Sequence, residues 1–94
     1  MSTREEVYVA INEERDYQDM KWGAIDEHSH EVGSWLTIMR YLLGKAESAY
    51  TTAHGDSASL DEIRQLVAVG VACMEQHGPI KREKIDLVAM RGSL

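Results

Sequence analysis

Three polar side chains continue the apolar stripe of the first predicted helix, and they are the first candidates for chemistry. The stripe begins with Val7 and Ile11, and at the same helical spacing it continues with Glu14, Gln18 and Lys21. Residues 14, 18 and 21 fall within about 60° of one another on a helix. Either this end of the helix projects past the core into water, or it lines a polar pocket whose charges a metal or ligand balances.

The start of the second predicted helix carries polar residues toward the same region. Its apolar stripe extends backward from Trp35 to Val32 or Glu31, and then to His28. Antiparallel helices joined by a short loop bring the end of one beside the start of the next. We therefore expect a pocket at this junction to have polar groups on both of its sides.

Carboxylates at such a junction suit a divalent cation, because Mg²⁺ prefers oxygen ligands and leaves positions for water and substrate phosphates. The candidate ligands are Glu13, Glu14 and Glu31, with Glu75 as a fourth if the third helix returns to the same pocket. Lys21 would balance phosphate charge there. The predicted cofactor is Mg²⁺ or Mn²⁺, and the predicted partner is a nucleotide.

Other chemistry is less well supported by the sequence. Trp22 or Trp35 would stack on a base, although a place in the core or at its boundary is the commoner role of a tryptophan. His28 and His30 are two residues apart, so on a helix they diverge by about 160° and do not chelate zinc together. Cys73 lies in an apolar run and is interpreted as a small buried hydrophobic residue.

Length, composition and charge narrow the class of protein. The chain has 94 residues, of which 44% are apolar and 28% charged, as expected for one globular domain spanning 1–94. A net charge of −6 without a basic cluster argues against binding to duplex nucleic acid. The longest apolar run, "LVAVGVACM", is about half of a membrane span. We expect a cytoplasmic protein with no membrane partner, and a homo-oligomer because so small a chain buries little core.

The periodicity predicts an all-α antiparallel helical bundle, either dimeric or tetrameric. Thr3 or Ser2 caps the first helix and Gly23 ends it, while Gly78 ends the third. The third helix is apolar nearly all round, which is typical of the middle of a bundle. The predicted helices are three long ones at 3–22, 31–52 and 60–77 and a short C-terminal one at 80–91.

The order of these segments resembles a known family. "NEERDYQDMKWG" is followed by a connector with Glu and His, then by "VGSWLTIMRYLLGKAESAY" and "LDEIRQLVAVGVACMEQHG". This layout resembles the small phage and mobile-element members of the MazG-like all-α nucleoside triphosphate pyrophosphohydrolases, most closely at "ER..YQ...KWG". The resemblance implies Mg²⁺-dependent hydrolysis of a (deoxy)nucleoside triphosphate to monophosphate and pyrophosphate.

The pocket and the resemblance together give a candidate site. The family's Glu-Glu-x-x-Glu motif falls on Glu13, Glu14 and Tyr17, so its third carboxylate is replaced. Two alternatives therefore stay open: a non-catalytic ligand-binding protein, and a helical interaction module whose polar stripe marks an interface. The candidate residues are Glu14 and Lys21 for catalysis; Glu13, Glu14, Glu31 and Glu75 for the metal; and Gln18, Lys21, Trp22 and His28 for the substrate.

Overall fold

The computed structural model describes residues 1–52 and 55–83, and the regular structure in those ranges is entirely α-helical. Helix α1 spans Arg4–Trp22, α2 spans Val32–Thr51 and α3 spans Gly55–His77. The all-α prediction is confirmed. Residues 80–83 of the predicted C-terminal helix are not helical, and the rest of that helix lies outside the described residues.

Local signals at the ends of α1 determine where the chain enters and leaves this helix. The Thr3 hydroxyl accepts a hydrogen bond from the backbone N–H of Glu6 at 3.1 Å, and acidic side chains occupy the first turn. Gly23 follows the last turn with φ of 95°, a conformation that favours glycine, and its N–H donates to the Asp19 carbonyl. The chain then enters a connector, residues 24–31, that leads to α2.

Helix α3 is the centre of the fold, and the other two helices pack on it separately. The Ser59 hydroxyl donates to the Ala46 carbonyl at 3.1 Å, and the Trp35 indole donates to Gln76 at 2.8 Å, so α2 and α3 run antiparallel. Within the described ranges, no Cα atom of α1 lies within 8 Å of one in α2. The expected antiparallel contact between α1 and α2 is therefore replaced by an open space between them.

The hydrophobic core formed by the described residues is small. Its connected cluster consists of Trp35, Val69 and Ala72, surrounded by half-buried apolar side chains that include Cys73, and Ile11, Ala46 and Ala68 are buried outside this cluster. Among the described residues, no large side chain is completely buried. Much of the apolar surface of the α2–α3 hairpin therefore stays exposed on this single chain. None of the three helices carries a stretch long and apolar enough to cross a bilayer.

Candidate ligand-binding groove

The space between α1 and the first half of α2 is a groove with α3 as its floor. Its volume is about 460 Å³, which lies in the range of small-molecule sites. Side chains from both helices, the connector and α3 contribute to it. The aliphatic lining consists of Ile25, Ile38, Leu42, Val69 and Ala72. The groove thus has an apolar floor that is open to solvent along one side.

Aromatic side chains form much of the groove's remaining apolar wall. Trp35 is only 4% exposed and packs its ring edge-on against His30, with 4.9 Å between the ring centroids. Trp22 lies at the other side with 58% of its surface exposed, and Tyr41 also lines the groove. Both tryptophans of the chain therefore line one site, and a flat ring system is the kind of ligand that such walls accommodate.

A buried guanidinium forms the polar wall on α1. Arg15 is 5% exposed, and it donates hydrogen bonds to Glu75, to Asp19 at 2.9 Å and to Gln18 at 3.3 Å. Burial alone would lower the pKa of Arg15, but the hydrogen bonds to Glu75 and Asp19 outweigh burial and raise its pKa above the ordinary value. Because the folded-state pKa is raised, this contribution to stability is fully present at neutral pH and is lost only in strongly alkaline solution.

A single amide holds the connector at the end of the groove. The Gln76 Oε1 accepts from the His30 N–H at 2.9 Å and from the Trp35 indole at 2.8 Å. Its Nε2 donates to the carbonyls of Ile25 and His28 at 3.1 and 2.9 Å. All four hydrogen-bonding positions of the amide are thus occupied, which fixes both the connector and the Trp35 ring.

The residues predicted to bind substrate lie mostly in this groove. Gln18, Trp22 and His28 all line it. Gln18 is 5% exposed and donates to the Gln65 carbonyl at 3.3 Å, while the His28 ring donates to the Gly23 carbonyl at 3.1 Å. Lys21 is exposed on the outer side, where its Nζ lies 4.8 Å from the centre of the Trp22 ring. It lies next to the groove without lining it.

The residues predicted to bind metal do not come together. Glu14 is buried, but it faces α3 and accepts a hydrogen bond from Arg64 at 2.8 Å. Glu13 and Glu31 are exposed, and Glu75 is bound to Arg15. Within residues 1–52 and 55–83, no group of three His, Cys, Asp or Glu side chains is arranged to hold a metal ion. In this part of a single chain the four predicted ligands therefore do not form one cation site, and binding of Mg²⁺ or Mn²⁺ stays a prediction.

The predicted site residues did not include Arg15, which lines the groove, or Gln76, which holds the connector at its end. Arg15 directly follows Glu14, and Gln76 directly follows Glu75, and both of these carboxylates were predicted site residues. Arg15 also shares a helix face with Gln18, three residues further on, so helical spacing alone could have indicated it. For Gln76 the sequence carries no such signal, because its partners are more than 40 residues away along the chain.

The Glu14–Arg64 pair leads to an asymmetric prediction about stability. Arg64→Ala leaves the carboxylate of Glu14 buried without a partner, so we expect the free energy of unfolding to fall by about 2 kcal/mol. Glu14→Ala should cost only about 1 kcal/mol, because Arg64 is 38% exposed and keeps its bond to Asp61 at 2.6 Å. Urea denaturation of both variants measures the difference, and equal or reversed costs would contradict this description of the pair.

Comparisons with known proteins do not assign a ligand to the groove. No family model, no curated protein and no solved structure matches this chain. The MazG-like resemblance therefore stays a prediction, and the ligand class is inferred from the groove itself.

Proposed function

We propose that the protein binds a nucleotide in the groove, with the base against the aromatic walls and the phosphates toward the open side. The main support is the coincidence of two independent sets of residues. Gln18, Trp22 and His28, selected from the sequence as substrate-binding, line the same groove as the buried Trp35. Stacking of a base on an aromatic side chain contributes about 1–3 kcal/mol.

The polar groups of the groove favour a heterocycle over a purely apolar ligand. The groove contains the guanidinium of Arg15 and the side-chain amide of Gln18, both nearly buried. An apolar ligand would remove water from these groups without replacing its hydrogen bonds, which costs free energy. A nucleobase has donors and acceptors on its edge and an apolar face, so it matches both kinds of wall.

The charges around the groove suggest how such a nucleotide is oriented. The carboxylates of Asp19 and Glu75 bind Arg15, which leaves little positive charge at this wall for phosphates. Lys21 is exposed next to Trp22, at the side where the groove meets solvent. We infer that the phosphates lie at this side in water, where an ammonium group balances part of their charge.

MazG-like pyrophosphohydrolysis is the second candidate function. It is favoured by the "ER..YQ...KWG" resemblance, whose Gln18 and Trp22 line the groove. Among residues 1–52 and 55–83 of one chain, the predicted carboxylate ligands do not come together, and so we propose no catalytic step. The same proposal includes a cytoplasmic homo-oligomer that binds neither membranes nor duplex nucleic acid, and the small core supports the oligomer.

The nucleotide proposal is tested by calorimetric titration with the four ribonucleoside and four deoxyribonucleoside triphosphates. We expect at least one to bind with a Kd below about 1 mM. Trp22→Ala should weaken that binding at least about fivefold, because one stacking partner is lost. Tyr8→Ala is the matched control, since Tyr8 is similarly exposed on α1 but does not line the groove. It should leave the Kd unchanged.

A pyrophosphate-release assay with Mg²⁺ or Mn²⁺ separates the two candidate functions. Binding without release identifies a non-catalytic nucleotide-binding protein, whereas release that Trp22→Ala reduces supports the hydrolase. If none of the eight nucleotides binds and none raises the melting temperature, the groove is not a nucleotide site.

A further inference from the structure

A second apolar surface lies on the α2–α3 hairpin, away from the groove. It is a shallow depression between the two helices, and we call it the open hairpin face. Its members on α2 are Leu36, Thr37, Met39, Arg40 and Leu43, and those on α3 are Leu66, Val67, Gly70 and Met74. We propose that a second copy of this chain covers the open hairpin face through the same face of its own.

The composition of the open hairpin face is that of an interior surface. Leu36, Leu43, Val67 and Met74 are 43–58% exposed, although single chains usually bury most side chains of this kind. Among the described residues that line the face, Arg40 alone is ionisable. The chain as a whole is acidic, with a net charge of −6. Two copies therefore meet on this face without bringing acidic surfaces together.

The open hairpin face is distinct from the groove. On α2 the groove is lined by Trp35, Ile38, Tyr41 and Leu42, whereas the face is lined by Leu36, Thr37, Met39, Arg40 and Leu43. At 100° per residue, the mean directions of these two sets are about 150° apart. Helix α1 packs on α3 at the groove side, so it does not cover this face. A second chain bound to the open hairpin face therefore leaves the groove accessible to a ligand.

The size and shape of the face fit an identical hairpin. The nine lining residues extend about 12 Å along each helix, and on the same side the exposed side chains of Val32, Tyr50, Leu60 and Ile63 continue the apolar stripe along most of both helices. Helices of 20 and 23 residues are about 30 Å long and pack about 10 Å apart, so this whole side of the hairpin presents roughly 600 Å² in projection. Side chains make its accessible area larger, close to the 800 Å² or so that each partner buries in a stable complex. Two hairpins packed face to face form a four-helix bundle, in which these apolar stripes become the core.

Gly70 lies in the face and removes a barrier to close approach. A Cβ atom built there would meet the end of the Met39 side chain at 3.3 Å, closer than an ordinary contact, so the missing side chain lets Met39 of α2 pack over α3 within one chain. The inference rests on the oligomer in the proposed function, and it does not depend on which ligand the groove binds.

The test is the mass of the full chain by sedimentation equilibrium over a range of concentrations. We expect about 21 kDa, twice the 10.6 kDa of one chain. Leu43→Glu and Val67→Glu place a charge in the interface from α2 and α3 respectively, and each should weaken dimerisation at least about 100-fold. Both residues are exposed in the single chain, so the fold tolerates the change, and far-ultraviolet circular dichroism checks its helix content.

Val9→Glu is the matched control, because Val9 is 57% exposed on α1, outside the open hairpin face. It should leave the dimer intact. A monomeric wild-type chain would overturn the proposal, and so would a dimer that persists in both face variants. Nucleotide titration of the Leu43→Glu variant distinguishes a failure of the dimer proposal from a failure of the nucleotide proposal, because a monomer should still bind the nucleotide in its groove.

Discussion

Replacing Trp35 with alanine is expected to lower the free energy of unfolding by about 3–5 kcal/mol. Trp35 is 4% exposed and forms the core cluster with Val69 and Ala72. The remaining neighbours are half-buried side chains, so the structure has little else to fill the cavity. Since small domains are stable by only about 5–15 kcal/mol, this variant should lose a large part of its stability. Denaturation in urea, followed by circular dichroism at 15 °C or so, measures the change.

Trp35→Phe is the control that separates packing from hydrogen bonding. Phenylalanine keeps an aromatic ring in the core but has no N–H to donate to Gln76. We expect it to cost about 1–2 kcal/mol, clearly less than alanine. A loss of less than about 1 kcal/mol in Trp35→Ala would mean that this side chain is not the centre of the core.

Gln76→Ala is expected to lower the free energy of unfolding by about 2–3 kcal/mol. The substitution removes four hydrogen bonds, and it leaves the Trp35 indole N–H without its partner. The cost stays below the sum of four separate bonds, because the connector carbonyls are part-buried and regain water. Backbone hydrogen exchange should show the His30 amide losing protection, since that N–H donates to Gln76.

Two variants serve as controls for the Gln76 prediction. His77→Ala removes one neighbouring hydrogen bond, to the His30 carbonyl, and should cost only about 0.5–1 kcal/mol. Gln76→Glu keeps an oxygen acceptor, but its ionised carboxylate has no N–H to donate to the carbonyls of Ile25 and His28. The free energy of unfolding should therefore fall at neutral pH and recover partly in acid, when the carboxyl is protonated. If Gln76→Ala and His77→Ala cost the same, the amide does not hold the connector as described.

The sequence predicted the inward stripe of α1 well, but only as far as local spacing extends. Helical periodicity placed Glu14 and Gln18 on the face of Ile11, and all three are buried. Lys21 continues the same stripe but is exposed, and its Nζ lies over the Trp22 ring. For this residue, the interpretation in which the helix end projects into water describes the structure better than the interpretation in which it lines a polar pocket.

Partners distant in the chain explain why the metal site could not be judged from sequence. Periodicity shows that Glu14 turns inward, but not that Arg64, 50 residues away, meets it there. The same holds for Arg15 and Glu75, which are 60 residues apart. An inward carboxylate is compatible with a metal or with an arginine, and only the packing of α1 on α3 decides between them.

The boundary of α3 shows a local signal overridden by packing. Ser59 and Glu62 have the spacing of a capping box, which predicted a start at residue 60. Instead the Ser59 hydroxyl donates to the Ala46 carbonyl of α2, and the helix begins at Gly55. A serine inside a helix can satisfy its hydroxyl on a neighbouring backbone, and this alternative is invisible without the tertiary contact.

The most direct test of the nucleotide site is a titration followed by nuclear magnetic resonance on the indole N–H signals. The chain has two tryptophans, and both line the groove. Adding the nucleotide selected by calorimetry should move both indole signals along one binding curve, while the amides of Leu36 and Leu43 on the open hairpin face stay unchanged. If both indole signals stay fixed while other parts of the chain respond, the groove is not where the nucleotide binds.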